Sequence, residues 1–285
     1  IERIKSVRYL REVSFVLVGA VLGVGAHTFF NVRLPSSSDT YPVRQRSNEY
    51  TFINPLLYYQ VPNDLKQYQP LATKISDLVA RHSNLNASVY YRDLNTGRWF
   101  GVNETENYTP ASLLKVVVMM AYLKQAELKP SILSSRIVFS SSIRDLIGLI
   151  PYDHGTMLKL GTPYTASDLI DRMIIQSDNG ATYSLLSKLD ERVLDQVFRD
   201  LGLPNPQETG RAYTLSVQDY ASFFRVLYNA TYLNRSLSER ALALLSRTDF
   251  KQGIVAGTPP STLISHKYGE AVFAEEDQRS VELHD

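Results

Sequence analysis

The stretch Tyr108-Thr-Pro-Ala-Ser-Leu-Leu-Lys115-Val-Val-Val-Met-Met-Ala-Tyr-Leu-Lys-Gln-Ala-Glu-Leu-Lys-Pro130 packs a helix and a reactive pair into 23 residues. Pro110 opens the helix, which runs through Val116, Val117, Val118, Met119 and Leu123 to about Glu127, and Pro130 lies beyond its end as a stop. Ser112 and Lys115 are the only Ser-x-x-Lys among the ten lysines. Positions i and i+3 share a helix face, so the amine can reach the hydroxyl. Ser112 falls in the first turn, where outward-pointing N–H groups can stabilise an oxyanion. A lysine pressed against Val116 can lose its proton and act as a base. An ordinary helix N-terminus carries the same short pattern, so the pair does not decide the chemistry alone.

Outward from this helix, Leu71, Ile75, Leu78 and Val79 recur at helical spacing and predict a helix over about 64–82. Ser88 to Arg92 and Arg98 to Val102 flank Asp93-Leu-Asn-Thr-Gly97 and predict a hairpin. Downstream, 131–164 is a mixed segment. Thr165-Ala-Ser-Asp168 has the pattern of a capping box opening a helix through Ile175. Further helices are expected after Asn179, over about 191–201 with Gly202 as C-cap, from Ser216-Val-Gln-Asp219, and over 237–247. Thr262 to Ser265 and Tyr268 to Ala274 read as strand, and Val281 to Asp285 alternate like another. The order is that of an α/β (α+β) domain whose first and last strands are separated by a helical insert.

Two more short motifs follow. Ser177-Asp178-Asn179 lies between helices; its three residues are good N-caps, but Ser177 can also relay a proton and Asn179 can grip a carbonyl. Lys-x-Gly occurs at Lys159, Lys251 and Lys267, and only Lys267-Tyr268-Gly269 lies on a late expected strand. There Gly269 admits the close approach of a substrate backbone and Lys267 offers charge to a carboxylate.

The chain of 285 residues is 44% hydrophobic and 21% charged, so it is globular, with one large domain or two small ones. The absence of cysteine excludes disulfides, thiolate metal sites and a Cys nucleophile. His82, His154 and His266 have no metal-ligand spacing, and neither metal nor cofactor is expected. Arg3, Lys5, Arg8 and Arg11 precede an apolar run of 18 residues ending at Phe30, which predicts a single-pass membrane helix with the N-terminus inside and the body outside; a signal peptide cleaved near Ala26 is the alternative. The expected organisation is an anchor at 1–35, a tether at 36–62 and one hydrolase-sized domain at 63–285. Residues 36–285 carry a net charge of −2, which offers no footprint for nucleic acid.

The ordered set resembles the class A β-lactamase and penicillin-binding-protein superfamily. The likeness covers about 67–285, with Arg92-Asp-Leu-Asn-Thr-Gly97, Tyr108-Thr-Pro-Ala-Ser-Leu-Leu-Lys115 and Gln176-Ser-Asp-Asn-Gly-Ala-Thr182 as its neighbourhoods. It implies a sheet subdomain joined to an all-helical subdomain, with the site between them, and core strands and a helix beyond Asp285. It also implies roles: Ser112 as nucleophile, Lys115 as base or relay, Ser177 as proton shuttle, Asn179 on the substrate amide, Lys267 and Gly269 beside the acid-binding strand, and the Ser112 and Glu270 N–H groups as oxyanion hole. The expected substrate is a β-lactam or a D-alanyl cell-wall peptide, handled by a monomer at the periplasmic or cell-surface side of the membrane. Two departures matter. Tyr268 stands where the family usually has Thr or Ser. The Glu-x-x-Leu-Asn loop that activates water in class A enzymes is missing; of Glu191, Glu208 and Glu239, only Glu208 lies in the right loop. Slow deacylation is therefore expected, and a non-catalytic penicillin or peptidoglycan binder is the rival of another class.

Overall fold

The computed structural model describes residues 51–53, 65–82, 86–148, 156–205, 213–275 and 278–284. All of these belong to one compact unit, Arg44–Asp285. The expected membrane helix, His154 and Glu208 lie outside the described residues. Among the described residues no helix is long and apolar enough to cross a membrane.

The chain begins with α1 (Leu65–Ala80) and the hairpin β1 (Val89–Arg92) and β2 (Trp99–Val102), paired antiparallel from Val89↔Val102 to Arg92↔Trp99. Its turn closes as the sequence predicts. Asp93 Oδ1 accepts from Asn95 N at 2.8 Å, and Gly97 takes φ +78°, which a side chain would resist. The short β3 (Asn107–Tyr108) pairs with β6 (Leu215–Ser216), which ties the approach to Ser112 to the start of α7 (Val217–Tyr228).

Next come a 3₁₀ turn, Ala111–Leu114, and α2, Lys115–Leu128. The α-helix thus starts five residues later than Pro110, because the serine turn is wound tighter. Every residue of α2 from Lys115 to Leu123 is buried. A helix apolar all round belongs in the middle of a protein, and α2 is surrounded by α4 (Ala166–Ile175), α5 (Asn179–Leu186), α6 (Glu191–Leu201) and α8 (Arg235–Leu245). Between α2 and α4 lie a second 3₁₀ turn (Pro130–Ser134), β4 (Arg136–Val138), α3 (Ser141–Ile147) and β5 (Pro163–Thr165), with β4 paired to β5. Pro130 does not merely end α2; it opens that second turn.

The helix boundaries are set by side chains. Thr165 and Asp168 close the capping box reciprocally, with Asp168 N donating to Thr165 Oγ1 at 3.0 Å. Gly202 ends α6 in the left-handed region, φ +68°. Asn234 caps α8, which begins at Arg235, two residues before the expected 237.

Two expectations are corrected. Thr262 to Ser265 form no strand: Thr262 N closes a local turn onto Pro259 O at 2.9 Å, and the Ser265 side chain is tied to α8. Ser265 Oγ donates to Leu242 O at 2.8 Å, and Thr248 Oγ1 donates to Leu245 O at 2.9 Å and His266 O at 3.0 Å. The last strands, β7 (Gly269–Glu275) and β8 (Gln278–His284), form a hairpin of their own. The sheet expected to join the first and last strands is present as two separate two-stranded ladders among the described residues, each pairing strands adjacent in sequence. Short closures cost the least chain entropy.

Residues 51–53, read as part of the tether, are docked. Glu239 on α8 accepts from the backbone N–H groups of Thr51, Phe52 and Ile53 at 2.8–3.0 Å, and Ile53 is buried in the core.

Candidate active site

Ser112 is the second residue of the 3₁₀ turn and is half-buried. The turn carries strain: Ala111 has φ +47°, a left-handed value that costs a residue with a Cβ about 1–2 kcal/mol. It is braced from two sides. Tyr220 of α7 donates its hydroxyl to Leu113 O at 3.3 Å. Gly269, where β7 begins, lies so close that a Cβ there would stand 3.0 Å from Pro110 O and 3.2 Å from Leu113 N. The backbone that comes close to Gly269 here is the serine turn of the protein itself, not the substrate backbone expected from the sequence. Glu270 follows as the second residue of β7, paired with Leu283 and exposed.

Lys115 opens the buried helix α2, so its amine is buried with it; the residue is 4% exposed. Nζ donates to Ser177 O at 2.5 Å, to Ser177 Oγ at 3.1 Å and to Asn179 Oδ1 at 2.7 Å. These bonds carry the amine across to Ser177 and Asn179. The i, i+3 spacing puts Lys115 and Ser112 on one face, and a carbonyl and an amide oxygen across the cleft are better acceptors for an ammonium than a hydroxyl.

Ser177 holds the centre. Its backbone is left-handed, φ +57°, just before α5. Asp178 caps α5, accepting from Ala181 N at 2.9 Å, and also accepts from Thr156 Oγ1 at 2.9 Å and Met157 N at 3.3 Å. The cap reading and the relay reading of Ser-Asp-Asn are thus compatible: Asp178 fixes the corner, which frees Ser177 and Asn179 to face Lys115.

Lys267 reaches the same hydroxyl from the other side. Its Nζ donates to Ser177 Oγ at 2.9 Å and to Tyr268 O at 2.7 Å, and the residue is 1% exposed. Contrary to expectation it precedes the strand, on a segment anchored by Thr248 and Ser265, and β7 starts only at Gly269. Tyr268 fills the place where a small hydroxyl was expected. Its ring stacks on Phe250 with centroids 4.2 Å apart and 15° between planes, and Lys267 Nζ stands 4.2 Å from its centroid. Burial pushes the Tyr268 hydroxyl up from its ordinary pKa, opposed by a hydrogen bond with Ser177. Sequence reasoning treated Tyr268 as a missing threonine and overlooked it as a neighbour of Ser177; the size of the side chain was the available signal.

Two glutamates are removed from the search for a water-activating base. Glu239 is spent on Thr51 to Ile53, and Glu191 is exposed in the first turn of α6. Among the described residues no group of three or more His, Cys, Asp or Glu is placed to hold a metal.

The model of the family described as the β-lactamase enzyme family matches residues 70–283. The chain belongs to this family. As a β-lactamase-family protein it is a hydrolase of the β-lactamase-like type. Solved structures of the same fold include PBP-A, 24% identical with a TM-score of 0.61 over 75% of this chain and 85% of that one. A mutant of the class A β-lactamase of the last common ancestor of Gram-negative bacteria is 21% identical, TM-score 0.60, over 75% and 89%. A class A β-lactamase from Mycobacterium abscessus is 20% identical, TM-score 0.56, over 72% and 86%. Comparison with curated proteins gives no match.

Proposed function

We propose that the protein is a membrane-tethered, extracytoplasmic serine hydrolase that forms an acyl-enzyme on Ser112 with a β-lactam amide and releases it slowly. The observation that carries this reading is the convergence of Lys115 and Lys267 on one hydroxyl, Ser177 Oγ, at 3.1 and 2.9 Å, beside a strained turn that holds Ser112. In this reading Lys115 is the group that takes the Ser112 proton when substrate is bound.

Ser112 Oγ attacks the carbonyl carbon and its proton passes to Lys115 Nζ. The oxyanion lies toward the N–H groups of Ser112 and Glu270. As the C–N bond breaks, Ser177 gives its proton to the leaving nitrogen and is reprotonated by Lys115. Asn179 orients Lys115 and the substrate amide. The contact from Lys115 to Ser112 is one that substrate has to tighten, as is common for catalytic hydrogen bonds before binding. The fold shared with a PBP-A mutant solved as an acyl-enzyme complex with penicillin G, 24% identical, is in keeping with this chemistry.

Slow release rests on the missing Glu-x-x-Leu-Asn pattern, with Glu239 engaged by the backbone of Thr51 to Ile53. It favours a D-alanyl-D-alanine carboxypeptidase, with penicillin as inhibitor, as the second reading. The basic flank and apolar run of the N-terminal segment support the anchor, which is tested by recovery of the natural protein from washed membranes rather than from a soluble fraction.

The deciding experiment is incubation with a fluorescent penicillin followed by intact-mass spectrometry. A lasting adduct on Ser112, absent in Ser112→Ala, is expected. Rapid turnover without an adduct makes the protein an efficient β-lactamase, and no reaction at all makes it a binder.

A further inference from the structure

We propose that Tyr268 is a specificity gate, its ring covering the Lys267 ammonium so that a substrate carboxylate reaches Lys267 only when the ring swings away. The inference deepens the function proposed above and rests on it for the identity of the cleft. Lys267 is the natural partner for an anionic substrate group, yet it is 1% exposed. Its ammonium is taken up by Ser177 Oγ at 2.9 Å and Tyr268 O at 2.7 Å, and the Tyr268 ring lies over it at 4.2 Å. The ring cannot drift, because Phe250 stacks on it at 4.2 Å. Two partners at that distance occupy its two faces, so the ring is held between Phe250 and Lys267.

The backbone offers no other way to uncover the lysine. Gly269 is wedged against Pro110 O and Leu113 N, where even a Cβ would sit at 3.0–3.2 Å. The preceding segment is tied to α8 through Thr248 and Ser265. With the backbone held, the Tyr268 side chain is the group lying over the ammonium that has to move. Acyl donors with a free carboxylate beside the scissile amide therefore enter against the cost of unstacking the ring, whereas donors without that carboxylate do not need Lys267 uncovered. The gate thus sorts substrates by charge next to the reacting bond.

The test uses reversible binding, so that it does not depend on acylation. In the Ser112→Ala background, affinity for benzylpenicillin and for its methyl ester is measured by calorimetry with and without Tyr268→Thr. The free acid is expected to bind at least about tenfold tighter once the ring is gone, the size of one charge-assisted hydrogen bond gained, while the ester is unchanged. Tyr268→Phe keeps the ring and is expected to stay at the starting affinity. Phe250→Ala, which leaves residues 267–269 intact and removes only the stack, is expected to move free-acid affinity in the same direction as Tyr268→Thr, and serves if that variant does not fold. Equal affinity in all backgrounds, an equal gain for acid and ester, or no binding by any variant overturns the gate. A gated binder that never forms an adduct would instead refute the acyl-enzyme and leave the gate standing.

Discussion

Helix α2 and the segment before β7 each deliver a lysine to Ser177, and they do so by different means. Lys115 is the first residue of a helix whose Val116 to Leu123 are all buried, so its position follows from the packing of the core itself. Lys267 arrives on a segment without a ladder, located by Thr248, Ser265 and the ring of Tyr268. The first arrangement can change only if the core changes. The second depends on a few hydrogen bonds and one side chain. A site built this way keeps its reacting groups on the rigid helical body and leaves selectivity to the side that single substitutions can retune.

The largest expected effect tests the rigid side. Lys115→Ala lowers the acylation rate by about 10²–10⁴-fold, the range for loss of a positioned acid–base group, in stopped-flow labelling with a fluorescent penicillin. A near-normal rate would show that another group activates Ser112. In the same helix, Met119 is fully buried, and Met119→Ala is expected to cost about 2–5 kcal/mol in urea unfolding, where a loss under 1 kcal/mol would mean that α2 is not the centre of the core.

Next comes the pH limit of that core. Burial pushes the Tyr122 hydroxyl up to about 12, and it donates to Leu185 O at 2.8 Å. The folded state holds this proton more tightly than the unfolded chain, whose tyrosine titrates near 10. The contribution of Tyr122 is therefore constant below about pH 10 and falls as pH rises from there to 12, by roughly 2–3 kcal/mol for this one group. Tyr122→Phe is expected to flatten that decline; an unchanged slope would assign it to other groups. The smallest effect belongs to the adjustable side. Thr248→Val removes the donor to Leu245 O and His266 O and is expected to cost about 1–2 kcal/mol. Its sharper signature is a shift of KM for anionic substrates with kcat held, because Lys267 loosens while Lys115 does not. A fall in kcat alone would make the two lysines one unit.

Legibility followed distance along the chain. The capping box of Thr165 and Asp168, the left-handed stop at Gly202 and the Asp93 to Gly97 turn all work through partners within a few residues, and all were readable from spacing. So were the three motifs that meet at the site, since Ser-x-x-Lys, Ser-Asp-Asn and Lys-x-Gly are each local. Less was readable about how they meet. The spacing brought Lys115 to Ser112, three residues away, but gave no sign of its bonds to residues 62 and 64 positions downstream. The strand expected over Thr262 to Ser265 was a reasonable reading of its residues, yet Thr262 closes a turn onto Pro259 and Ser265 bonds to α8.

By itself the sequence determined most of the helices, several of their caps and the first hairpin, because propensity, capping and periodicity act over one or two turns of chain; Ser112, Lys115, Ser177, Asn179, Lys267 and Gly269 were singled out by the order of three short motifs and the family it resembles. Only the tertiary structure decided that Ser177, rather than Ser112, is the hydroxyl shared by both amines, that Gly269 bears on the serine turn, and that Tyr268 covers Lys267. These contacts join residues far apart along the chain, Lys267 and Ser177 by 90 positions and Gly269 and Pro110 by more, and they are selected by the packing of α2 and α8 and by the need of buried amines and carbonyls to find partners, which no local pattern encodes.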